Sequence, residues 1–246
     1  MDELINGSIL GLLNPQRGER VLDIGCGEGN HLLSLSSLGL DINGIDASPY
    51  MISRARARLG DRCTLKTGMA EDLPFDDNEF DLAVFINTLE FLDDPLQALR
   101  EAGRVAKRKV FVGTMNSLSW YCLSHKSMGF FRKSIFKHVR FYNIWELKSL
   151  VQSAYGDVPI SWQCAPVGSS MLGKMNKQFI ERWNIQHCPF GSFLGLSAKI
   201  LYRQKTEQHP LKVSLKKAGQ SIARGVTMKK INRVKRDHRD ERSLFI

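Results

Sequence analysis

The sequence predicts an α/β protein built on a doubly wound, mostly parallel sheet of seven strands with helices on both faces. Two observations predict this fold. Short runs rich in Val, Ile and Leu alternate with helical patterns, and successive runs are far enough apart for a crossover helix between parallel strands. The chain has 246 residues, of which 43% are hydrophobic and 24% charged. This composition suits one such domain with additions.

The first half of the chain carries five of the predicted strands. They span residues 20–24, 41–45, 63–66, 81–86 and 109–113. The predicted helices between them span residues 30–38, 49–59 and 95–105. Ligands of such sheets lie beyond the carboxyl ends of the strands, near the point where the strand order reverses. The functional site is therefore expected on the loops that follow Ile24, Ile45 and Ile86.

The second half of the chain differs in composition and pattern. Residues 116–142 interleave aromatic side chains with Lys and Arg, and a helix over 144–155 and strands over 158–164 and 193–202 follow. We therefore predict one domain over residues 1–203, in which 116–142 is an insertion that covers an apolar or planar ligand. The same aromatic residues would also suit an extra helical layer that fills the core, and both interpretations stay open.

The net charge of +10 comes from the end of the chain. Residues 203–246 carry 13 Lys and Arg against 4 Asp and Glu, whereas the rest of the chain carries 22 against 21. We assign 204–246 to a basic C-terminal tail, which has apolar residues at helical spacing between positions 211 and 222. A basic amphipathic helix can contact an anionic membrane surface or RNA. A solvated extension is the alternative.

Several classes of protein are disfavoured by the composition. No stretch approaches the roughly 20 apolar residues of a membrane span, and the first residues lack the pattern of a secretory signal. The 5 cysteines are odd in number, scattered and never spaced as Cys-x-x-Cys, which argues against a disulfide framework or a zinc site. We expect reduced thiols in a cytoplasmic protein that holds no metal.

A glycine-rich turn follows the first strand. Gly25, Gly27 and Gly29 alternate with other residues between that strand and the next helix. Glycines let the backbone turn sharply and let a ligand approach without meeting a Cβ atom, and the helix start offers free N–H groups to an acidic group. A dinucleotide-binding turn would read G-x-G-x-x-G, and here the third glycine comes one residue early. A nicotinamide dehydrogenase is therefore disfavoured.

Asp46 ends the second strand, 23 residues after Asp23. A carboxylate at this place can accept hydrogen bonds from both hydroxyl groups of a ribose. Ser48 is the better candidate to cap the next helix, because Pro49 then takes the first helical position. Asp46 is therefore expected to be free for a ligand.

Three segments carry a family resemblance: VLDIGCGEG from Val21, GIDASPYMISRAR from Gly44, and AEDLPFDDNEFDLAVFINTLEFLDDP from Ala70. In order and spacing they resemble the consecutive motifs of class I S-adenosylmethionine-dependent methyltransferases. They are most similar to the small-molecule type related to quinone and sterol methyltransferases. The resemblance covers roughly residues 19–115 and implies a Rossmann-like fold with S-adenosylmethionine as cofactor.

The resemblance implies a set of cofactor-binding residues at the methionine end and the ribose. Asp23 and the loop of Gly25, Cys26, Gly27 and Gly29 would hold the methionine end, with loop N–H groups near its carboxylate. Asp46 would bind the ribose hydroxyl groups. These roles belong to the family motif and come to this chain residue by residue.

The same resemblance assigns residues around the adenine and the methyl group. Ala47 and Met51 would pack against the adenine ring, which needs an apolar slot. Ala70 and Glu71 would border the ring after the third strand. Asn87, after the fourth strand, would lie near the transferring methyl group or the cofactor's amino group.

Two positions depart from the family pattern. Met69 stands where many relatives have an Asp that meets the adenine amino group, and Phe91 stands where relatives often have His. The second departure removes the easiest candidate for a general base. Glu90, His125 and His138 are the remaining catalytic candidates, although a helix-start carboxylate and two exposed histidines would explain them equally well.

Three functions stay open after this comparison. The leading hypothesis is methyl transfer to a small molecule, for which a lipid-like or planar acceptor would suit the aromatic insertion. A tRNA, rRNA or protein methyltransferase guided by the basic tail is the first alternative, although the fourth strand does not lead into Asn/Asp-Pro-Pro-Tyr and no Pro-Cys pair is present. The second alternative is a non-catalytic binding protein with a methyltransferase-like fold.

Overall fold

The computed structural model describes residues 2–119, 139–165 and 189–201. Within them the seven strands are β1 Arg20–Ile24, β2 Asp41–Asp46, β3 Thr64–Thr67, β4 Phe80–Ile86, β5 Ala106–Met115, β6 Ile160–Ala165 and β7 Phe193–Lys199. The α-helices are α1 Asp2–Leu13, α2 Asn30–Ser36, α3 Pro49–Leu59, α4 Pro95–Val105 and α5 Ile144–Tyr155.

All seven strands form one sheet in the order β3-β2-β1-β4-β5-β7-β6. Strands β1 to β5 are parallel to one another, and β7 is antiparallel to both β5 and β6. The chain therefore winds outward from β1 to β3 and then returns to β4 beside β1, which places the reversal of strand order between these two strands. The predicted doubly wound, mostly parallel sheet of seven strands with Rossmann-like architecture is confirmed.

The two faces of the sheet bury separate apolar cores. On one face the helices α1, α2 and α3 pack on side chains such as Leu82 and Val84 of β4. On the other face α4 and α5 pack on Ala83 and Phe85 of the same strand. Alternate residues of a strand point to opposite faces, so a central strand with helices on both sides is apolar at nearly every position. The run of β4 in the sequence shows this pattern.

The helix α1 lies outside the elements predicted from the sequence. Its apolar side chains Ile5, Ile9 and Leu13 recur every fourth residue and are all at most 2% exposed. Lys109 Nζ donates to the carbonyl groups of Leu12 and Leu13 at 3.0 and 2.9 Å, which satisfies the open end of the helix.

Local hydrogen bonds set several element boundaries. Ser48 accepts a hydrogen bond from the Met51 N–H group at 3.3 Å, so its predicted role as the cap of α3 is confirmed. The helix α2 ends at Ser36, before the predicted residue 38, where Ser36 and Ser37 hydroxyls donate to carbonyl groups three residues back. Strands β6 and β7 are shorter than predicted and end at Ala165 and Lys199.

Several predictions fall on residues that lie outside the described ones. They include the basic tail 204–246, most of the insertion 116–142, and the two catalytic candidates His125 and His138. Within the described ranges, no helix is both long and apolar enough to cross a membrane.

Candidate functional site

A cavity of about 490 Å³ lies at the carboxyl ends of β1, β2, β3 and β4. Its walls come from the loops after these four strands, so it occupies the reversal point at which the sequence placed the site. Eight of the eleven predicted cofactor-binding residues line it: Gly25, Gly27, Asp46, Ala47, Met51, Ala70, Glu71 and Asn87. The volume is within the range of about 300–1,000 Å³ that is usual for small-molecule sites.

The three glycines of the turn after β1 serve different purposes. Each has a positive φ, of 76° at Gly25, 53° at Gly27 and 77° at Gly29, which favours glycine. A Cβ atom at Gly25 would overlap the side chain of Thr88, and one at Gly29 would lie 2.5 Å from Leu59 Cδ1. At Gly27 a Cβ atom would meet nothing within 4 Å. Packing of the turn therefore requires glycine at positions 25 and 29, whereas Gly27 leaves open space. The approach of a ligand to this turn stays a prediction.

Backbone hydrogen bonds fix the turn on the neighbouring strands. The N–H groups of Gly25 and Cys26 both donate to the Ile45 carbonyl oxygen, at 2.7 and 3.0 Å. The Thr88 hydroxyl group donates to the Gly25 carbonyl oxygen at 3.2 Å. The turn is thus held from β2 on one side and from the end of β4 on the other.

Asp46 is held by the protein itself. Its Oδ2 atom accepts a hydrogen bond from the Gly27 N–H group at 2.8 Å, and its Oδ1 atom accepts one from the Ser48 N–H group at 2.8 Å. The loops on both sides of Asp46 turn their N–H groups toward its carboxylate, and its availability to a ligand stays a prediction. Each carboxylate oxygen keeps a further lone pair, so Asp46 can still accept hydrogen bonds from a ligand.

Asp23 lies behind the turn and is only 1% exposed. Its Oδ1 atom has no hydrogen-bond partner among the residues that the structure describes. Burial, with a smaller contribution from the negative charge of Asp46, raises the pKa of Asp23 to about 7. Asp23 does not line the cavity, and its unsatisfied oxygen is suited to a donor or a cation brought by a ligand.

Two residues of the cavity wall also have buried oxygens without partners in the described part of the chain. They are Glu71 Oε2 and Asn87 Oδ1. Asn87 has a positive φ of 51°, and its N–H group donates to the Gly113 carbonyl oxygen at 2.8 Å, which fixes the residue at the end of β4. A buried acceptor without a donor costs about 1–3 kcal/mol. The site therefore favours a ligand rich in hydroxyl, amino or ammonium groups.

Cys26 and Gly29, with Asp23, are the predicted residues that do not line the cavity. The Cys26 side chain is buried in the core below the turn, and burial raises the pKa of its thiol well above its usual range. Cys26 is thus a protonated core residue, and its N–H group is taken by the Ile45 carbonyl oxygen. Gly29, the last glycine of the turn, packs against Leu59 of α3.

The cavity has further wall residues that the sequence analysis did not assign. They are Ile24, Ile45, Ser48, Gly68, Thr88, Leu92 and Asp93. Met69 and Phe91, the two departures from the family pattern, also line the cavity. The three-residue turn Leu89–Phe91 brings Phe91, Leu92 and Asp93 to one side. Their place next to Asn87 in the sequence was the only available signal.

Glu90 is not among the residues that line the cavity. It is 3% exposed, and its Oε1 atom accepts hydrogen bonds from the Thr114 hydroxyl group at 2.5 Å and the Met115 N–H group at 2.9 Å. Burial raises the pKa of Glu90, and these two hydrogen bonds partly oppose the rise. Glu90 therefore joins the turn after β4 to the end of β5.

No group of three or more His, Cys, Asp or Glu side chains placed to hold a metal occurs among the described residues. No disulfide joins the described cysteines Cys26, Cys63 and Cys164. The chemistry that the described residues offer is thus that of carboxylate and amide acceptors around a cavity with apolar walls.

Comparison with known proteins identifies the part of the chain that builds this cavity. Residues 22–112 match a family model described as a methyltransferase domain. An uncharacterized methyltransferase of Synechocystis sp. is 43% identical over 65 residues, which cover 26% of this chain and 30% of that protein. A ubiquinone biosynthesis O-methyltransferase of Azorhizobium caulinodans is 33% identical over 109 residues, covering 42% of this chain and 43% of that protein. The chain thus spans less than half the length of these curated relatives.

Solved structures show the same fold. A S-adenosylmethionine-dependent methyltransferase from Thermotoga maritima has a TM-score of 0.61 and 24% identity, over 81% of this chain and 91% of that chain. A magnesium protoporphyrin IX methyltransferase from Synechocystis, solved with bound S-adenosylhomocysteine, has a TM-score of 0.58 and 14% identity, over 81% of this chain and 82% of that chain.

Proposed function

We propose that this chain, whose residues 22–112 match a family model described as a methyltransferase domain, is a class I S-adenosylmethionine-dependent enzyme that transfers the methyl group of that cofactor to a small-molecule acceptor. The observation that carries the proposal is the cavity at the strand reversal. Glu71 and Asn87 on its wall, and Asp23 behind the turn after β1, keep buried oxygens without partners in the described part of the chain. Asp46 adds a carboxylate fixed by two N–H groups.

These residues fit the cofactor by chemistry. Asp23 would attract the ammonium group of its methionine end, which would pass over Gly27, where no Cβ atom intrudes. Asp46 would accept hydrogen bonds from the two ribose hydroxyl groups. Together these contacts would satisfy oxygens whose burial is otherwise unfavourable.

The adenine end has its own set of residues. Ala47 and Met51 present apolar surface from the loop after β2 and the first turn of α3, and Ala70 faces the cavity from the loop after β3. Glu71 Oε2 is a buried acceptor suited to an amino group. Asn87, fixed at the end of β4, would bind an amino group close to the methyl donor.

When bound, the cofactor supplies a methyl group on a sulfonium, which is already activated for displacement. The work of this chain is then to hold the acceptor close to the methyl carbon and opposite the sulfur, and to keep water out. Positioning of this kind can lower a barrier by about 7–11 kcal/mol. The fixed turn after β1 and the fixed end of β4 provide two rigid walls for it.

A general base is a separate part of the proposal. In the described structure Glu90 is turned toward Thr114 and Met115 and away from the cavity wall, so we assign it to positioning the turn that carries Phe91. His125 and His138 stay candidates for proton removal if the acceptor is a hydroxyl group. An acceptor that is already a strong nucleophile would need none of the three.

A small-molecule acceptor is supported by the names of relatives. They include a ubiquinone biosynthesis O-methyltransferase and a 27-O-demethylrifamycin SV methyltransferase. The basic tail keeps the tRNA, rRNA or protein acceptor as an alternative, because 13 Lys and Arg oppose only 4 Asp and Glu over residues 203–246. A contact of this tail with anionic lipid or RNA, and a cytoplasmic location, also belong to the proposal.

A label-transfer experiment tests the acceptor class. The protein would be incubated with methyl-tritiated S-adenosylmethionine and, separately, with the small-molecule, RNA and protein fractions of a cell extract. Label should move into the small-molecule fraction with the wild type and fail to move with Asp46→Ala. Label in RNA or protein would favour the first alternative, and no transfer into any fraction would favour the non-catalytic one.

The tail is tested by removing it. A chain that ends at residue 203 should bind the cofactor as the full chain does, and should lose affinity for vesicles with anionic lipid or for RNA. Equal association of the full and shortened chains with both would contradict a contact through 204–246.

A further inference from the structure

The mouth of the cavity is apolar on two sides. Met69, in the loop after β3, is 55% exposed, and Phe91, at the end of the turn after β4, is 63% exposed. Both side chains line the cavity, and the half-buried Leu92 lies beside Phe91. Single exposed apolar side chains are ordinary, but two that face one concave site mark a surface that a ligand covers.

The charged residues of the same wall are all acidic within the described part of the chain. They are Asp46, Glu71 and Asp93, and no described Lys, Arg or His lines the cavity. Asp46 and Glu71 belong to the proposed cofactor contacts. Asp93 is exposed, lies two residues after Phe91 and is not needed by the cofactor in the proposed arrangement. Among the described residues it therefore sets the charge of the mouth through which the acceptor enters.

Three described basic side chains near these loops are engaged elsewhere. Arg140, whose N–H group donates to the Glu90 carbonyl oxygen at 3.0 Å, places its guanidinium group 5.3 Å from the centre of the Tyr142 ring and is not part of the cavity wall. Arg54, on α3, forms an ion pair with Glu28 at 2.8 Å, and Lys66 lies 4.3 Å from the centre of the Phe75 ring. Neither is part of the cavity wall. An anion at the mouth would therefore meet like charge without a described cation to pair with, whereas a cation or a neutral molecule would not.

We infer that the methyl acceptor is a neutral or cationic molecule with an apolar body, which packs on Phe91 and Met69 while Asp93 disfavours anions. This inference rests on the proposed function and names its acceptor class. Phe91 and Met69 determine specificity by contact with the apolar body, and Asp93 does so by charge. A phosphate-rich acceptor such as nucleic acid is the class that this mouth suits least.

Three probes that share a ten-carbon chain and differ in charge separate the effect of charge from that of apolar contact. They are decan-1-ol, decylamine and decanoate, which are neutral, cationic and anionic at pH 7.5. Each would be titrated, below the concentration at which it forms micelles, into protein saturated with S-adenosylhomocysteine. We expect decanol and decylammonium to bind at least tenfold more tightly than decanoate. Phe91→Ser should weaken all three by a similar factor of about ten, since it removes apolar contact and no charge.

Charge reversal provides the matched test. Asp93→Lys should tighten decanoate by at least tenfold and weaken decylammonium, with less than a threefold effect on decanol. Asp157→Lys is the control, because Asp157 is exposed in the turn between α5 and β6, at the opposite edge of the sheet. It should leave the order of the three affinities unchanged.

The outcomes separate this inference from the function on which it rests. If S-adenosylhomocysteine does not bind the wild type, the proposed function fails and the inference fails with it. If S-adenosylhomocysteine binds but decanoate binds as tightly as decanol, or none of the probes binds, the inference alone is wrong. The same holds if Asp93→Lys and Asp157→Lys give equal affinities.

Discussion

The N–H group of Gly27 donates a hydrogen bond of 2.8 Å to the Oδ2 atom of Asp46, which joins the turn after β1 to the end of β2. Gly27 is the glycine of this turn whose missing Cβ atom leaves open space, and Asp46 is the carboxylate of the same cavity wall. Gly27, proposed to lie under the methionine end of the cofactor, and Asp46, proposed to bind its ribose, thus position each other. Loss of either is expected to disturb both halves.

The glycines of the turn should respond differently to the same substitution. Gly25→Ala places a methyl group on Thr88 at a positive φ, so it should lower the free energy of unfolding by about 3 kcal/mol or more. Gly27→Ala meets no atom and should cost only about 1 kcal/mol for its φ of 53°. Urea denaturation measures both values, and equal losses would contradict the separate roles.

Asp23 should make stability depend on pH in an unusual direction. Its pKa rises from 3.8 in the unfolded chain to about 7 in the folded protein, so the folded state favours the protonated form. The free energy of unfolding that this group contributes is highest below pH 4 and falls, by up to about 4 kcal/mol, as pH rises to 7. Asp23→Asn removes this loss. In urea denaturation between pH 4 and 8, the free energy of unfolding of Asp23→Asn should increase relative to that of the wild type as pH rises. A difference between the two proteins that does not change with pH would contradict the raised pKa of Asp23.

Cofactor binding should release protons at slightly acidic pH through the same group. At pH 6 Asp23 is mostly protonated in the free protein, because its pKa is about 7. An ammonium group beside it favours the carboxylate and lowers that pKa. Calorimetry of S-adenosylhomocysteine binding in buffers of different ionisation enthalpy measures the release. We expect a fraction of a proton for the wild type and a clearly smaller value for Asp23→Asn, and the same release in both would argue against the contact.

Glu90 should behave as a positioning residue. Glu90→Gln keeps an acceptor for the Thr114 hydroxyl and Met115 N–H groups, so the free energy of unfolding should change by less than about 1 kcal/mol. Glu90→Leu leaves the Met115 N–H group without its acceptor and leaves the Thr114 hydroxyl group only the Met115 carbonyl oxygen at 3.4 Å, so it should cost about 2–4 kcal/mol. Label transfer should survive in the Gln variant. Its loss in a stably folded Glu90→Gln protein would restore Glu90 as a base.

The fold was predictable where local patterns decide it. The apolar run of β4 and the Ser48-Pro49 start of α3 can be read from the sequence, because burial on both faces and helix capping depend on neighbouring residues. The helix α1 could not be read in this way, since Gly7 and Gly11 weaken its helix propensity and its buried stripe depends on the sheet.

The candidate site was predictable to the extent that the family motif names it. The motif includes Cys26, whose side chain the turn directs into the core. No local pattern encodes the close approach of Thr88 to Gly25, 63 residues away in the sequence, because it is a tertiary contact. The same holds for the Gly27 N–H group that donates to Asp46. The same is true of the contacts of Glu90 with Thr114 and Met115, which join the turn before Asp93 to β5.

The most direct test of the account is a calorimetric titration of S-adenosylhomocysteine into the wild type, Asp46→Ala and Asp157→Ala. Asp157 is an exposed carboxylate at the far edge of the sheet and controls for the loss of charge. We predict micromolar binding to the wild type and Asp157→Ala, and at least a hundredfold loss in Asp46→Ala, whose folding is checked by urea denaturation. No binding to the wild type, or equal affinity in all three proteins, would contradict the assignment of the cavity to the cofactor.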